Sequence, residues 1–286
     1  MNRLIVVLSL LVTLSAHAAP NALVQAVQMP AWLHRDANIT PLRVGTTLHN
    51  GDKLVTGINA RVYVLTADGS TVKLGESAAL TLDGLSTSGG TDSIFSAVLK
   101  VGKGAFRFTT GALQKLKGRN VTVKVASATL GIRGTDVWGK DSDEQGVVCL
   151  IEGKIEVTGA DKQPFVMDQP LSFYKMPKGA EALPVAPVDP GQLMKWAIET
   201  DIAQPAARLG GKWKVNLLTA RDLQSALTAY DVWLGAGYDV RLLPSGHAGD
   251  VAYTLRIVQI ATRDEAEKLA KLLQGRLGAE NPGVSR

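Results

Sequence analysis

Five polar side chains near the C-terminus have the types and spacing to grip a polymer: Lys214, Asn216, Arg241, Thr254 and Arg256. Each occupies an outward step of an alternating segment. Trp213-Lys214-Val215-Asn216-Leu217 alternates apolar and polar residues as a half-buried strand does, and Tyr253-Thr254-Leu255-Arg256-Ile257 repeats the pattern. If Trp213, Val215 and Leu217 face a core, Lys214, Asn216 and Leu218 face away from it. The same count turns Thr254, Arg256 and Val258 outward, and Asp239 and Arg241 from the segment Gly237-Tyr238-Asp239-Val240-Arg241-Leu242. The cations can make charge-assisted hydrogen bonds to anions, and Asn216 and Thr254 neutral ones to hydroxyl or amide groups. Two readings of such a face stay open: a platform for a long polar polymer, or the solvated side of an antiparallel sheet. Trp213 and Tyr253 could stack on a ligand, but their inward parity makes them packing residues.

These strands need helices to cover their other face. After the first, Leu223, Ala226, Leu227, Tyr230, Trp233 and Leu234 share one helical face. After the second, Thr262-Arg263-Asp264-Glu265 is a capping box, followed by a stripe of Ala266, Leu269, Ala270, Leu273 and Leu277 that ends at Gly278. The order is strand, helix, strand, strand, helix, short strand: a βαββαβ unit within residues 208–286, with both helices on one face of an antiparallel sheet.

Upstream, residues 19–175 read as all-β, a sandwich or a β-roll. Arg61–Leu65 and Thr71–Leu74 flank the turn Asp68-Gly69, and Ala105–Phe108, Val121–Val125 and Lys154–Val157 are further alternating strands. Residues 176–207, with Pro177, Pro184, Pro187 and Pro190, read as a polyproline spacer with a possible short helix at 192–202, which either belongs to the spacer or docks on a domain. Residues 1–18 read as a secretory signal peptide: Arg3, an apolar run from Leu4 to Leu14, and Ala16-His17-Ala18 for cleavage. A periplasmic location follows as the expectation, with no membrane span after cleavage.

Composition narrows the chemistry. The 286 residues carry a formal charge of +5, a mild basic bias that suits an acidic polymer or surface without identifying one. Cys149 is the single cysteine, so no intramolecular disulfide forms, and its apolar run marks a buried, inert thiol. No helical pair of histidines, Gly-x-Ser-x-Gly elbow or full calcium loop occurs, so neither catalysis nor a metal or other cofactor is expected. Asp141-Ser142-Asp143-Glu144 reads as a hairpin turn, Gly102-Lys103-Gly104 as a turn or bulge, and Arg133-Gly134-Thr135-Asp136 as a structural turn.

Two stretches resemble known families. Gly51-Asp52-Lys53-Leu54-Val55-Thr56-Gly57, Asp68-Gly69-Ser70, Gly102-x-Gly104-x-Phe106-x-Phe108, Ile132-Arg133-Gly134-Thr135-Asp136-Val137 and Ile151–Val157 together resemble the FecR domain. That resemblance implies an all-β extracytoplasmic domain serving protein interaction, often in proteins that cross the inner membrane and regulate sigma factors. A cleavable leader departs from that arrangement.

Residues Lys212 to Val284 resemble the SPOR domain in the aromatic strand leads, the alternation and the Gly237-Tyr238 pair, and depart from it at the strand ends Leu218-Thr219 and Val258-Gln259. This resemblance implies binding to septal peptidoglycan denuded of stem peptides, and through it a place in cell division. Lys214, Arg241 and Arg256 would then meet lactyl carboxylates, and Asn216 and Thr254 sugar hydroxyl or acetamido groups. The resulting expectation is a non-enzymatic peptidoglycan-binding protein, with a periplasmic regulator acting through the FecR-like domain on a membrane partner as the alternative. Nucleic-acid binding, which shares the βαββαβ order, lacks its aromatic signature here.

Overall fold

A computed structural model describes residues 21–88, 94–111, 118–247 and 250–286. The leader expected at residues 1–18 lies outside them. One strand organises the first two thirds of the chain. β8 (Phe95–Thr109) is 15 residues long and belongs to two sheets. Its second half, from Gly104, pairs with β6 (Thr71–Leu74) and β11 (Asp136–Asp141). Its first half pairs with β7 (Ala79–Thr87) and, in parallel, with β9 (Arg119–Val125). The switch falls at Gly102-Lys103-Gly104. Gly104 has φ +79°, and a Cβ there would lie 2.6 Å from the Cα of Ala78. Only glycine lets the strand turn this corner so close to a neighbouring backbone.

From that corner the sheets spread antiparallel. The first continues through β5 (Arg61–Thr66) to β1 (Ala22–Gln28) on one side. On the other it runs through β12 (Gln145–Glu152) and β15 (Ser172–Pro177) to β16 (Ala186–Pro187). The second runs through β4 (Lys53–Thr56) and β2 (Ala31–Arg35) to β3 (Asn38–Pro41) on one side. On the other it runs through β10 (Ala128–Ile132) and β13 (Ile155–Thr158) to β14 (Pro164–Met167). Inward residues of both sheets, among them Val62, Phe106, Phe108 and Val148 against Leu80, Leu99, Val123 and Leu130, form one apolar core. This is a β-sandwich.

The conspicuous acids of the motifs hold this sandwich together. Asp52 takes a bidentate grip from Arg35, at 2.8 and 2.7 Å, and a bond from the His49 amide. Burial opposes the charge on Asp52, but the bonds from Arg35 and His49 outweigh it and hold the carboxyl below its ordinary range. Asp136 is gripped in the same way by Arg107, at 2.9 and 2.7 Å. Asp68 accepts from Thr66 and Ser70 across its hairpin turn.

The proline-rich stretch expected to be a spacer is a cover and a bridge. Asp189 caps α1 (Pro190–Thr200), accepting from the Gln192 amide, with Pro190 at the first helical position. The helix lies on the outer face of the first sheet, where Trp196 stacks on Trp138 with centroids 4.8 Å apart and planes 12° from parallel. Phe173 meets the same indole edge-on at 5.7 Å, and Val188 and Leu193 join the cluster over Cys149. Lys140–Glu199 at 2.8 Å, Lys73–Asp201 at 2.6 Å and the Ile202 amide donating to the Tyr63 hydroxyl at 2.8 Å pin the helix end. The apolar side chains of this stretch, Val188, Leu193 and Trp196, found an apolar sheet face.

The chain then forms β17 (Ala207–Arg208), which pairs with β1 and with β20 (Asp250–Ile260), so the first sheet runs on into the C-terminal unit. That unit has the expected element order: β18 (Trp213–Ala220), α2 (Leu223–Gly235), β19 (Val240–His247), β20, α3 (Arg263–Leu273) and β21 (Gly283–Ser285). Its strands lie in the order β21, β18, β20, β19, all antiparallel. Thr262 caps α3 through the Glu265 amide as its sequence indicates.

Three details differ from the sequence reading. Only Ala226 and Trp233 of α2 are buried, while Leu223 and Leu227 are exposed, because the sheet covers a narrower stripe than the apolar pattern spans. α3 stops at Leu273 with Gln274 as its cap, so Leu277 is outside the helix and exposed. The left-handed turn comes at Gly275, φ +75°, whose amide bonds the Ala279 carbonyl before Gly278 is reached.

Trp196→Ala should cost about 2 kcal/mol, below the value for a fully buried aromatic because this indole is only partly buried. It should also open Cys149 to a thiol reagent such as DTNB. Burial pushes that thiol up to about 12, so the native chain is expected to label only on unfolding. Equal labelling rates for native and variant chains would show that the helix does not cover the sheet.

Candidate functional site: the open face of the C-terminal sheet

The five residues singled out by type and spacing do share one side of the C-terminal sheet. Val215, Leu217, Leu255 and Ile257 are buried beneath the helices, and the residues between them point the other way. Register brings three into a row: Asn216 on β18 is opposite Arg256 on β20, and Arg256 is opposite Arg241 on β19. Lys214 and Thr254 flank this row.

Most of these groups are already engaged. The Lys214 ammonium donates to the backbone oxygen of Arg286 at 2.6 Å. Asn216 Nδ2 donates to Ser285 Oγ at 3.3 Å, and the Thr254 and Thr219 hydroxyls share a hydrogen bond of 3.1 Å. Arg241 sits 3.6 Å from Asp239. Arg256 differs: its Nε is buried and makes no hydrogen bond with any described residue, and a second guanidinium is its cross-strand neighbour. Like charges placed directly across a strand pair destabilise it, and an unmet buried donor adds to that cost. An anion resting between Arg256 and Arg241 would relieve both.

Asp239 is corrected by the structure. It was read as facing solvent beside Arg241, but it precedes β19 and is buried. Its carboxylate receives Arg43 Nε at 3.0 Å from the sandwich. Around it the two units touch. The Ala31 amide donates to the Gly237 carbonyl at 3.1 Å, and a Cβ on Gly237 would lie 2.6 Å from the Trp32 ring. Gly237, read as part of a family signature, is the point where an indole from the sandwich meets bare backbone. Arg43 and Trp32 carry no local sequence signal for this role. Thr219 and Ser285, the neighbours of Thr254 and Asn216, become visible only through strand register.

Elsewhere, no group of three or more histidine, cysteine or acidic side chains that could hold a metal is found among the described residues. No helix among them is long and apolar enough to cross a membrane.

Comparison with known proteins bears on the sandwich. Residues 52–156 match the family described as FecR protein, so this stretch is a FecR domain; the match leaves the C-terminal unit outside it. No curated protein matches the chain. Two crystal structures from Parabacteroides distasonis, each described as a candidate anti-sigma factor, are similar to it with TM-scores of 0.40. One is 14% identical and covers 68% of this chain and 95% of its own; the other is 17% identical and covers 78% and 89%. Likeness at that level carries no argument about function.

Arg256→Met should leave thermal stability unchanged or raise it by up to about 1 kcal/mol, because it removes an unmet donor and a like-charge pair. A clear fall in melting temperature would show that Arg256 supports the fold and is not held ready for a ligand.

Proposed function

We propose that this chain is a non-catalytic regulatory protein of the cell envelope, working outside the cytoplasm, whose FecR domain engages a membrane protein. The observation that carries this reading is the family match over residues 52–156. Two features support the absence of catalysis. The acids of the motif stretches, Asp52 and Asp136, are occupied as halves of bidentate ion pairs, and the Cys149 thiol is buried with its ionisation suppressed. Such groups stabilise a scaffold and are poorly placed to act on a substrate.

The test is site-specific photo-crosslinking of the full chain in its native host. Probes at Ile58 and Ile39, 75% and 63% exposed on the sandwich, are expected to give a discrete adduct in the membrane fraction. A probe at Lys268, on the outside of α3, should not. Adducts from Lys268 alone, or none from any sandwich position, would refute the reading.

A second reading rests on the C-terminal sheet, where Lys214, Asn216, Arg241, Thr254 and Arg256 share one face and the buried Arg256 Nε has no hydrogen-bond partner among the described residues. Such a face fits a polyanion with regularly spaced carboxylates, as peptidoglycan glycan stripped of its stem peptides would be. On this reading the C-terminal unit tethers the protein while the FecR domain meets its partner. The full chain should pellet with amidase-digested sacculi more than with intact ones, and Arg256→Ala with Asn216→Ala should lose several-fold in affinity, each exposed contact being worth about 1 kcal/mol or less. Equal pelleting on both kinds of sacculi would dismiss the glycan while leaving the FecR reading untouched.

A further inference from the structure

A concavity lies at the mouth of the sandwich where the two sheets part, lined by residues that follow the FecR match in the chain. It is an open groove of about 1010 Å³ between β14, the end of one sheet, and β15 with the segment 179–185, near the end of the other. Phe165 and Tyr174 form its floor, edge to face with centroids 5.0 Å apart, and Leu183 and Val185 its far wall. Asp161 and Glu181 stand at its rim, and neither carboxylate has a cationic partner among the described residues. The Tyr174 hydroxyl is held above its ordinary value by burial and by the charge of Asp161, so it stays a neutral donor or acceptor beside that acid.

β14 adds a second feature. Among the described residues it pairs only with β13, which leaves its other backbone edge without a strand partner there, and Val166 on it is 49% exposed. Pro164 blunts the first position of that edge but leaves the rest open. The opposite wall is loosely tied: between Lys178 and β16, its backbone anchor is the Leu183 amide bonding the Lys175 carbonyl at 2.9 Å.

An unpaired strand edge accepts an extended peptide, and apolar walls beside it select alternate side chains. Aromatic rings with nearby carboxylates favour a cation whose aliphatic stem lies along the rings. The whole chain carries +5, so a basic peptide is repelled globally and must be drawn by local groups. We propose that this groove captures an extended, basic segment of a partner protein, adding it beside β14. A Lys or Arg side chain would sit between Asp161 and Glu181, its stem lying on Phe165 and Tyr174. This rests on the reading of the sandwich that contains the FecR match as a protein-interaction module, and places a binding groove beside that match with a stated partner chemistry.

The probe is a fluorescein-labelled peptide alternating lysine with leucine and phenylalanine, titrated with the full chain and followed by anisotropy. Saturable binding is expected, weakening as salt rises, and absent for the same peptide with glutamate in place of lysine. The double variant Asp161→Asn, Glu181→Gln should bind about tenfold more weakly, the scale of two partly exposed ion pairs. Asp143→Asn with Glu144→Gln, in the hairpin after β11, should bind like the native chain. All four positions are exposed, so none of these changes threatens the fold. No saturable binding, undiminished binding by the groove variant, or equal loss in both variants would overturn the proposal. If crosslinking from Ile58 persists in such a case, the FecR reading survives and only this groove is lost.

Discussion

The indole of Trp196 lying flat on Trp138 is the contact on which the rest of the architecture depends. Trp138 is fully buried, yet it belongs to the outer face of its sheet, away from the sandwich core. That face also carries Cys149, Ala105 and Phe173, and without α1 it would be an apolar patch in water. Covering it fixes the helix, and the helix end fixes where the chain leaves for β17. From β17 the sheet continues to β20, so the position of the C-terminal unit follows from the seating of one helix on the sandwich.

The consequence is a body with two faces and little freedom between them. The link through β17 is backbone hydrogen bonding, Arg43–Asp239 is a half-buried ion pair, and Trp32 packs on Gly237 where any side chain would collide. A chain built this way holds the sandwich and the open sheet face in fixed relation. Arg241 shares Asp239 with Arg43, so the open sheet face and the junction between the units are neighbours through a single carboxylate.

Much of this was legible where the determinants are local. The hairpin at Asp68-Gly69, the capped start of α3 and the alternation of β18 and β20 are written in runs of a few residues, and each is found in place. The corner at Gly102-Lys103-Gly104 was legible as a turn or bulge, but not as the strand's passage between sheets. What stayed hidden depends on distance along the chain. Asp239 and Arg43 are 196 residues apart, and nothing around either announces the other. A proline-rich stretch reads the same whether it spans solvent or lies on a surface; the choice was made by Trp138, far upstream. For the candidate site, the shared face followed from parity, while the engagement of Lys214, Asn216 and Thr254 by neighbours needed register across strands.

Residues 176–211 bind the sandwich to the C-terminal unit as one body. Spin labels placed at the exposed positions Lys162 and Lys271 of the full chain would report the distance between the units directly by pulsed electron resonance. One narrow distance distribution is the expected result, unchanged by moderate salt. A broad distribution, such as a semi-rigid proline spacer would give, would show two units that move independently.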